Sequence, residues 1–389
     1  MCAASSINLF SKHLGDLRDK GRYRSLVLPH GVDLSSNDYL GIAGDGLLRD
    51  VAVAYLQQGG DIGAGGSRLL RGHCAEHAAL EDYAAEFFAA PRALYLSSGY
   101  QANVTLFQTL CGRHDVIIFD EFVHASAREG IQNSHAARIK VQHNDAGAFE
   151  DACKKAQQNC KGRIWIAVES LYSMDGDVAP LRELMEIARR YDAMLVVDEA
   201  HASGALGAGG RGLAYEHYAG YVDPAIKSQD DDVWDNLITL HTCGKAIGVA
   251  GAILCASDEV VEMMINAARG FIYSTAPMPM QAHLVQQSLR IIDGDEGTRR
   301  REKLAALSGK AQQFFGGSGS CIVPIMIGND VRAVEVAERL QESGWDIRAI
   351  RPPTVPEGTA RLRLSLSAAL DEGQLEAFAT DFVGVKGLV

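Results

Sequence analysis

Lys245 sits among small residues in the stretch Asn236–Ala252 (NLITLHTCGKAIGVAGA), with Gly244 before it and Gly248 and Gly251 behind. Glycine, alanine and threonine leave room for a flat group against the backbone. A lysine screened from water in such a place loses its proton readily enough to act as an amine nucleophile. Read alone, the same pattern also fits a solvated loop lysine. Upstream, the apolar run Met194–Val197 ends in Asp198, and His201 follows. Ligands of open parallel sheets bind beyond the carboxyl ends of the strands, so two strand ends could bring Asp198 and Lys245 to one ligand. An aspartate facing a pyridinium nitrogen and a lysine that bonds the aldehyde are a protein's two standard contributions to pyridoxal phosphate chemistry. The alternative is that Asp198 caps a helix and His201 is structural.

Other stretches offer partial sites. Strand-like Ala93–Leu96 runs through Ser97, Ser98, Gly99 and Tyr100 into a helix. A helix start after a small-residue turn offers free amides and a favourable dipole to a phosphate, although an N-cap explains the turn equally well. His124 follows the strand Asp115–Phe119, where an imidazole could stack on a planar group or simply cap a helix. Thr275, in Phe271–Pro277, could bind phosphate or cap a helix. His73 and His77 have the spacing of a metal pair, and Asp175 and Asp177 flank a turn glycine. Structural readings are favoured for both, and no metal is expected. The glycine-dense Gly59–Gly72 reads as a flexible loop or as backbone that approaches a ligand or a neighbouring subunit.

The elements that must position these residues alternate. Strands are predicted at Ala137–Val141, Arg163–Glu169 and Met194–Asp198, with helices between them, one at Pro180–Arg190. Such alternation implies right-handed crossovers and a mostly parallel sheet flanked by helices. A second strand-helix-strand pattern follows the Gly/Ser-rich Gly316–Ser320, with strands at Ile322–Ile327, Trp345–Ile350 and Ala360–Leu366. The expected division is an N-terminal segment over 1–45, a large domain over 46–284 and a smaller α+β domain over 285–389. A long helix from about Pro279 to Leu307 is expected to break near Gly294, and Asp223–Asp235 reads as an acidic insert.

Of 389 residues, 47% are hydrophobic and 22% charged, as in ordinary soluble enzymes. The net charge of -12 argues against general binding to nucleic acid or anionic membranes. Eight cysteines without a CxxC pair fit reduced thiols, and no apolar run reaches membrane-spanning length. A cytoplasmic location is expected.

Over roughly residues 22–380 the chain resembles the alpha-oxoamine synthases, fold-type I pyridoxal-phosphate enzymes that join an amino acid to an acyl thioester. The resemblance is carried by the Asp198 and Lys245 stretches together with Ser36–Gly41 (SNDYLG), Gly66–Leu69 (GSRL), His77 with Leu80 and Glu81, and Thr359–Leu364 (TARLRL). The finer match implies the branch that condenses L-alanine with pimeloyl-CoA or pimeloyl-acyl carrier protein in biotin synthesis. Glycine-using relatives that make 2-amino-3-oxobutyrate or 5-aminolevulinate are the first alternative. An aminotransferase of the same fold and a non-enzymatic phosphate-binding module follow. The resemblance implies that Lys245 bonds pyridoxal 5'-phosphate, Asp198 faces its ring nitrogen, His201 its phenolic oxygen and His124 its ring face. Gly99, Tyr100, Thr242 and the partner subunit's Thr275 would hold the phosphate in a homodimer with shared sites. Ser173 would lie beside the cofactor, Arg363 would bind the amino-acid carboxylate, and Arg22 and Arg351 would meet substrate. Arg71 and Cys243 stand where relatives commonly carry serine and an aromatic residue.

Overall fold

The computed structural model describes residues 6–218 and 233–386. The strands are β1 (Val32–Asp33), β2 (Arg92–Leu96), β3 (Val116–Asp120), β4 (Ala137–Val141), β5 (Ile164–Glu169), β6 (Met194–Asp198), β7 (Leu237–Thr242), β8 (Ala252–Ala256), β9 (Ile322–Gly328), β10 (Trp345–Asp346), β11 (Ala349–Ile350) and β12 (Ala360–Ser365). The chain forms two compact units. The larger comprises 37–173 and 177–304; the smaller comprises the described parts of 1–36 and 305–389 together with 174–176. The expected divisions at 45/46 and 284/285 thus stand beside observed ones at 36/37 and 304/305.

The larger unit is built on a seven-stranded sheet of order β2-β8-β7-β6-β5-β3-β4. Strands β3 to β7 pair in parallel, and β8 runs antiparallel to both of its neighbours, β7 and β2. Strands β5, β6 and β8 are buried along their whole length, as their near-continuous apolar sequences require when helices cover both faces of a sheet. Leu106, Phe107, Ile131, Trp165, Met194, Ile238 and Leu254 belong to one core cluster. The helix Gly99–Leu110 lies close against the helix Ala125–Asn133. Gly130 permits the approach, since a Cβ there would stand 2.8 Å from the Asn103 carbonyl oxygen. Lys245 lies in the link from β7 to β8, which contains no crossover helix.

The expected break at Gly294 is seen: one helix spans Pro279–Asp293 and the next Asp295–Phe315. Of the acidic stretch 223–235, residues 223–232 lie outside the described residues, and Val233–Asp235 forms a single tight turn.

The smaller unit has an antiparallel sheet of order β11-β12-β9 and a parallel pair, β1 with β10. The single strand expected over Trp345–Ile350 is therefore two strands of two different sheets. The Ile347 amide bonds back to the Trp345 carbonyl (3.0 Å), which turns the chain and ends the first strand after two residues. Among the described residues, no helix is long and apolar enough to cross a membrane.

Candidate active site

Three neighbouring strands deliver polar groups at their carboxyl ends. Strand β5 ends on Glu169, β6 on Asp198 and β7 on Thr242. Beyond β6 and β7 the chain supplies His201 and Lys245, and the helix Gly99–Leu110 begins at the same place. Together with Tyr100, Asn103, His124 and Ser126 these residues line one cavity of about 140 Å³. The structure thus brings Gly99, Tyr100, His124, Asp198, His201, Thr242 and Lys245 together.

Lys245 Nζ lies 2.7 Å from His201 Nε2, and the Tyr39 hydroxyl lies 2.6 Å from His201 Nδ1. The histidine therefore bridges a buried phenol and the amine. Asp198 is held at both oxygens: the Ala200 amide donates to Oδ1 (2.9 Å) and Asn103 Nδ2 donates to Oδ2 (2.7 Å). Asn103 also donates to Ser126 Oγ (3.1 Å), which is 2.8 Å from His124 Nδ1. A continuous polar chain thus runs from His124 to Asp198. Burial lowers the His124 pKa, as do Lys245 and Arg128, while Asp198 opposes them. Glu169 stands beside Asp198 in the β5–β6 register. Burial, reinforced by the Asp198 charge, raises its pKa. Its Oε2 accepts the Ser173 amide (3.2 Å), and its Oε1 has no hydrogen-bond partner among the described residues.

The donor set suits pyridoxal phosphate. An amine is available for the aldehyde, a fixed carboxylate for the ring nitrogen, an imidazole for the ring face, and a helix N-terminus with a hydroxyl for the phosphate. The first amides of a helix have no intrahelical partner. Gly99 keeps that end open: a Cβ there would stand 3.0 Å from Thr242 Oγ1.

Other predicted residues are not among those lining this cavity. Ser173 is buried behind Glu169. Thr275 is exposed and bridges antiparallel to Ser67. In the smaller unit, Arg22 and Arg351 line a cavity of about 730 Å³ with Lys20, Arg24 and Thr354. Arg22 lies 3.7 Å from Asp330 and 3.5 Å from Glu357, and Arg351 donates to the Gly21 carbonyl. Arg363 is buried on β12 and donates to Ser365 Oγ (2.6 Å), whereas its neighbour Arg361 pairs with Asp175. His77 is fully buried, with Nδ1 2.9 Å from the Cys74 thiol and Nε2 2.9 Å from the Pro277 carbonyl. Burial and the Arg68 charge bring its pKa down to about 4.

Sequence reasoning missed Tyr39, Asn103, Ser126 and Glu169 as parts of the site. Glu169 carried a signal, since it ends an apolar strand just as Asp198 does.

The family model for aminotransferase class I and II matches residues 29–382. The 8-amino-7-oxononanoate synthase of Chromobacterium violaceum is 40% identical, with 94% of this chain and 96% of that protein covered. The enzyme of the same name from Geobacter sulfurreducens is 40% identical, with 93% and 94% covered. Among solved structures, serine palmitoyltransferase of Sphingomonas wittichii superposes with a TM-score of 0.85 at 25% identity, covering 99% of this chain and 98% of that one. The 8-amino-7-oxononanoate synthase of Francisella tularensis superposes with a TM-score of 0.71 at 26% identity, covering 92% and 98%.

Proposed function

The chain belongs to the alpha-oxoamine synthase family of pyridoxal-phosphate-dependent acyltransferases, and from that premise we propose that it condenses L-alanine with a pimeloyl thioester. The products are 8-amino-7-oxononanoate, carbon dioxide and free thiol, and the acyl carrier is coenzyme A or acyl carrier protein. The observation that carries this reading is the Lys245–His201 contact, 2.7 Å long, in the cavity that also holds Asp198. It occurs in a chain 40% identical to curated synthases over almost its whole length.

When bound, pyridoxal phosphate supplies the electron sink that a carbanion at the alanine Cα requires. The protein's residues do the rest. Lys245 would hold the cofactor through its amine, and that amine would take the proton from the alanine Cα and return one to the product. His201 orients that amine through Nε2. Asp198, fixed by Ala200 and Asn103, would keep a proton on the ring nitrogen. The amides of Gly99 and Tyr100 and the Thr242 hydroxyl would bind the phosphate, and Thr275 would add to it from a second copy of the chain in a homodimer. His124 would cover the ring, with Ser173 beside it. Arg363 binds the amino-acid carboxylate, while Arg22 and Arg351 receive the acyl substrate. We place the enzyme in the cytoplasm.

The test is borohydride reduction of the cofactor-loaded protein, peptide mapping, and turnover with alanine, glycine or L-serine and pimeloyl-CoA. Cofactor fixed on Lys245 and thiol release with alanine are expected. The Lys245→Ala variant should lose attachment, and loss of the base alone should cost about 10²–10⁴-fold in rate. Turnover with glycine alone would move the chain to the glycine-using branch. Pyridoxamine formation with a keto acid would make it an aminotransferase.

A further inference from the structure

His143 has a carboxylate at each ring nitrogen. Nδ1 is 2.9 Å from Asp120 Oδ1, and Nε2 is 2.7 Å from Asp177 Oδ2. An ionised carboxylate only accepts hydrogen bonds, so both nitrogens must carry hydrogen and the ring is an imidazolium. Asp120, fully buried at the end of β3, also accepts the Phe122 and Asn144 amides (2.8 Å each). Asp177 Oδ2 also accepts Asn144 Nδ2 (2.8 Å). The other groups facing His143 are Glu121, whose Oε1 accepts the His143 amide (3.2 Å), Phe122, whose ring lies tilted at 4.7 Å, and Tyr172, whose ring meets the imidazole edge-on at 4.4 Å.

These contacts fasten the loop that follows β5. The Tyr172 amide donates to the Asp177 carbonyl (2.9 Å), and Leu171 bridges antiparallel to Val178, closing the loop on itself. Inside it, the Ser173 amide holds Glu169 Oε2, and Glu169 lines the cavity. We propose that His143 is a positioning residue: a charged strut that anchors the loop 170–178 through Asp177 and Tyr172 and thereby fixes the Glu169 carboxyl in the active site. Its bearing on catalysis rests on the reading of that cavity given above; its charge and contacts do not.

Burial works against the imidazolium, but the two carboxylates outweigh it and raise the pKa to about 10. The strut therefore stays charged through the neutral range. Nuclear magnetic resonance of the ¹⁵N-histidine-labelled holoenzyme tests this directly. Both His143 nitrogens should be protonated at pH 8, and Asp177→Asn should lower the titration midpoint by at least about one unit. A neutral ring at pH 8, or an unmoved midpoint in Asp177→Asn, overturns the strut.

The catalytic consequence is read from His143→Gln, whose single amide nitrogen cannot span both carboxylates. Cofactor affinity should stay within about twofold, and kcat should fall about tenfold. The limb of the pH profile that Glu169→Gln abolishes should move up by about one unit, a tenfold change in the protonation equilibrium, as Glu169 loses the Ser173 amide. A His143→Gln enzyme with wild-type kcat and an unmoved limb refutes the positioning role. If that variant does not fold, Asp177→Asn must show the same limb shift in smaller measure, and its absence counts equally against the proposal. Should the wild type fail to turn over any acyl thioester, the functional reading falls while the resonance experiment still decides the strut.

Discussion

Replacing Asn103 by alanine should weaken cofactor binding far more than it weakens the fold. Asn103 is buried in the helix Gly99–Leu110 and spends its amide on Asp198 (2.7 Å) and Ser126 (3.1 Å), while its own Oδ1 has no partner among the described residues. In the cofactor-free protein the variant loses a hydrogen bond to a charged acceptor, worth about 1.5–3 kcal/mol. It also removes an unsatisfied buried oxygen, a gain of about 1–3 kcal/mol. Asp198 faces the cavity, where water can take the place of the lost donor. The net change in unfolding free energy should therefore stay within roughly 1–2 kcal/mol, by difference of those two contributions. With cofactor filling the cavity that water is excluded, and the full loss of about 1.5–3 kcal/mol falls on binding, or roughly 10- to 150-fold in Kd. Urea unfolding of cofactor-free protein gives the first quantity and a fluorescence titration with pyridoxal phosphate the second. Unchanged affinity together with a stability loss above about 3 kcal/mol would show that Asn103 serves the core and does not hold Asp198 for the cofactor.

Two further predictions concern stability. Burial raises the Glu199 pKa to about 7, although the Ser170 hydroxyl and the Ala214 and Leu213 amides oppose the shift. Because the folded value lies above the unfolded one, this contribution is fully present below about pH 4.5 and is lost as pH rises through 7, a change of order 3 kcal/mol. Unfolding curves of wild type and Glu199→Gln should therefore converge by about that amount between pH 5 and 8, and parallel curves would contradict it. Gly251 has φ +100°, and a Cβ there would stand 2.4 Å from the Tyr95 ring, which is itself held by a hydrogen bond to the Ala250 carbonyl (2.7 Å). Gly251→Ala should cost about 2–6 kcal/mol from strain and overpacking together, and an unchanged denaturation midpoint would show that this turn is not held as described.

How much of the site was legible depends on how local each signal is. That Asp198 and Lys245 share a cavity could be read because an apolar run ending in polar groups marks the end of a buried strand, and both the run and its end lie within a few residues. Asn103 could not. A lone asparagine in a helix has no sequence mark of its target, and Asp198 is reached only through tertiary packing. Glu169 had the local signal, but its partnership with Asp198 depends on the β5–β6 register, set across a whole crossover helix. The reversed direction of β8 left no trace in a five-residue apolar strand, because parallel and antiparallel central strands read alike. Trp345–Ile350 was misread for a related reason: a continuous β-prone run does not reveal that its two ends pair with different sheets.

The link from β7 to β8 also bears on how the molecule is assembled. Thr242 and Ala252 face each other about ten residues apart in sequence, whereas the partners Asp198 and Leu240 are separated by about forty. Closing the shorter loop costs roughly 1.2 kcal/mol less chain entropy, since the cost grows with the logarithm of loop length. Lys245 therefore rides on one of the least expensive contacts in the central sheet. Its backbone can find its place before the strand bearing Asp198 docks, so the fold can set the amine first and bring the carboxylate to it.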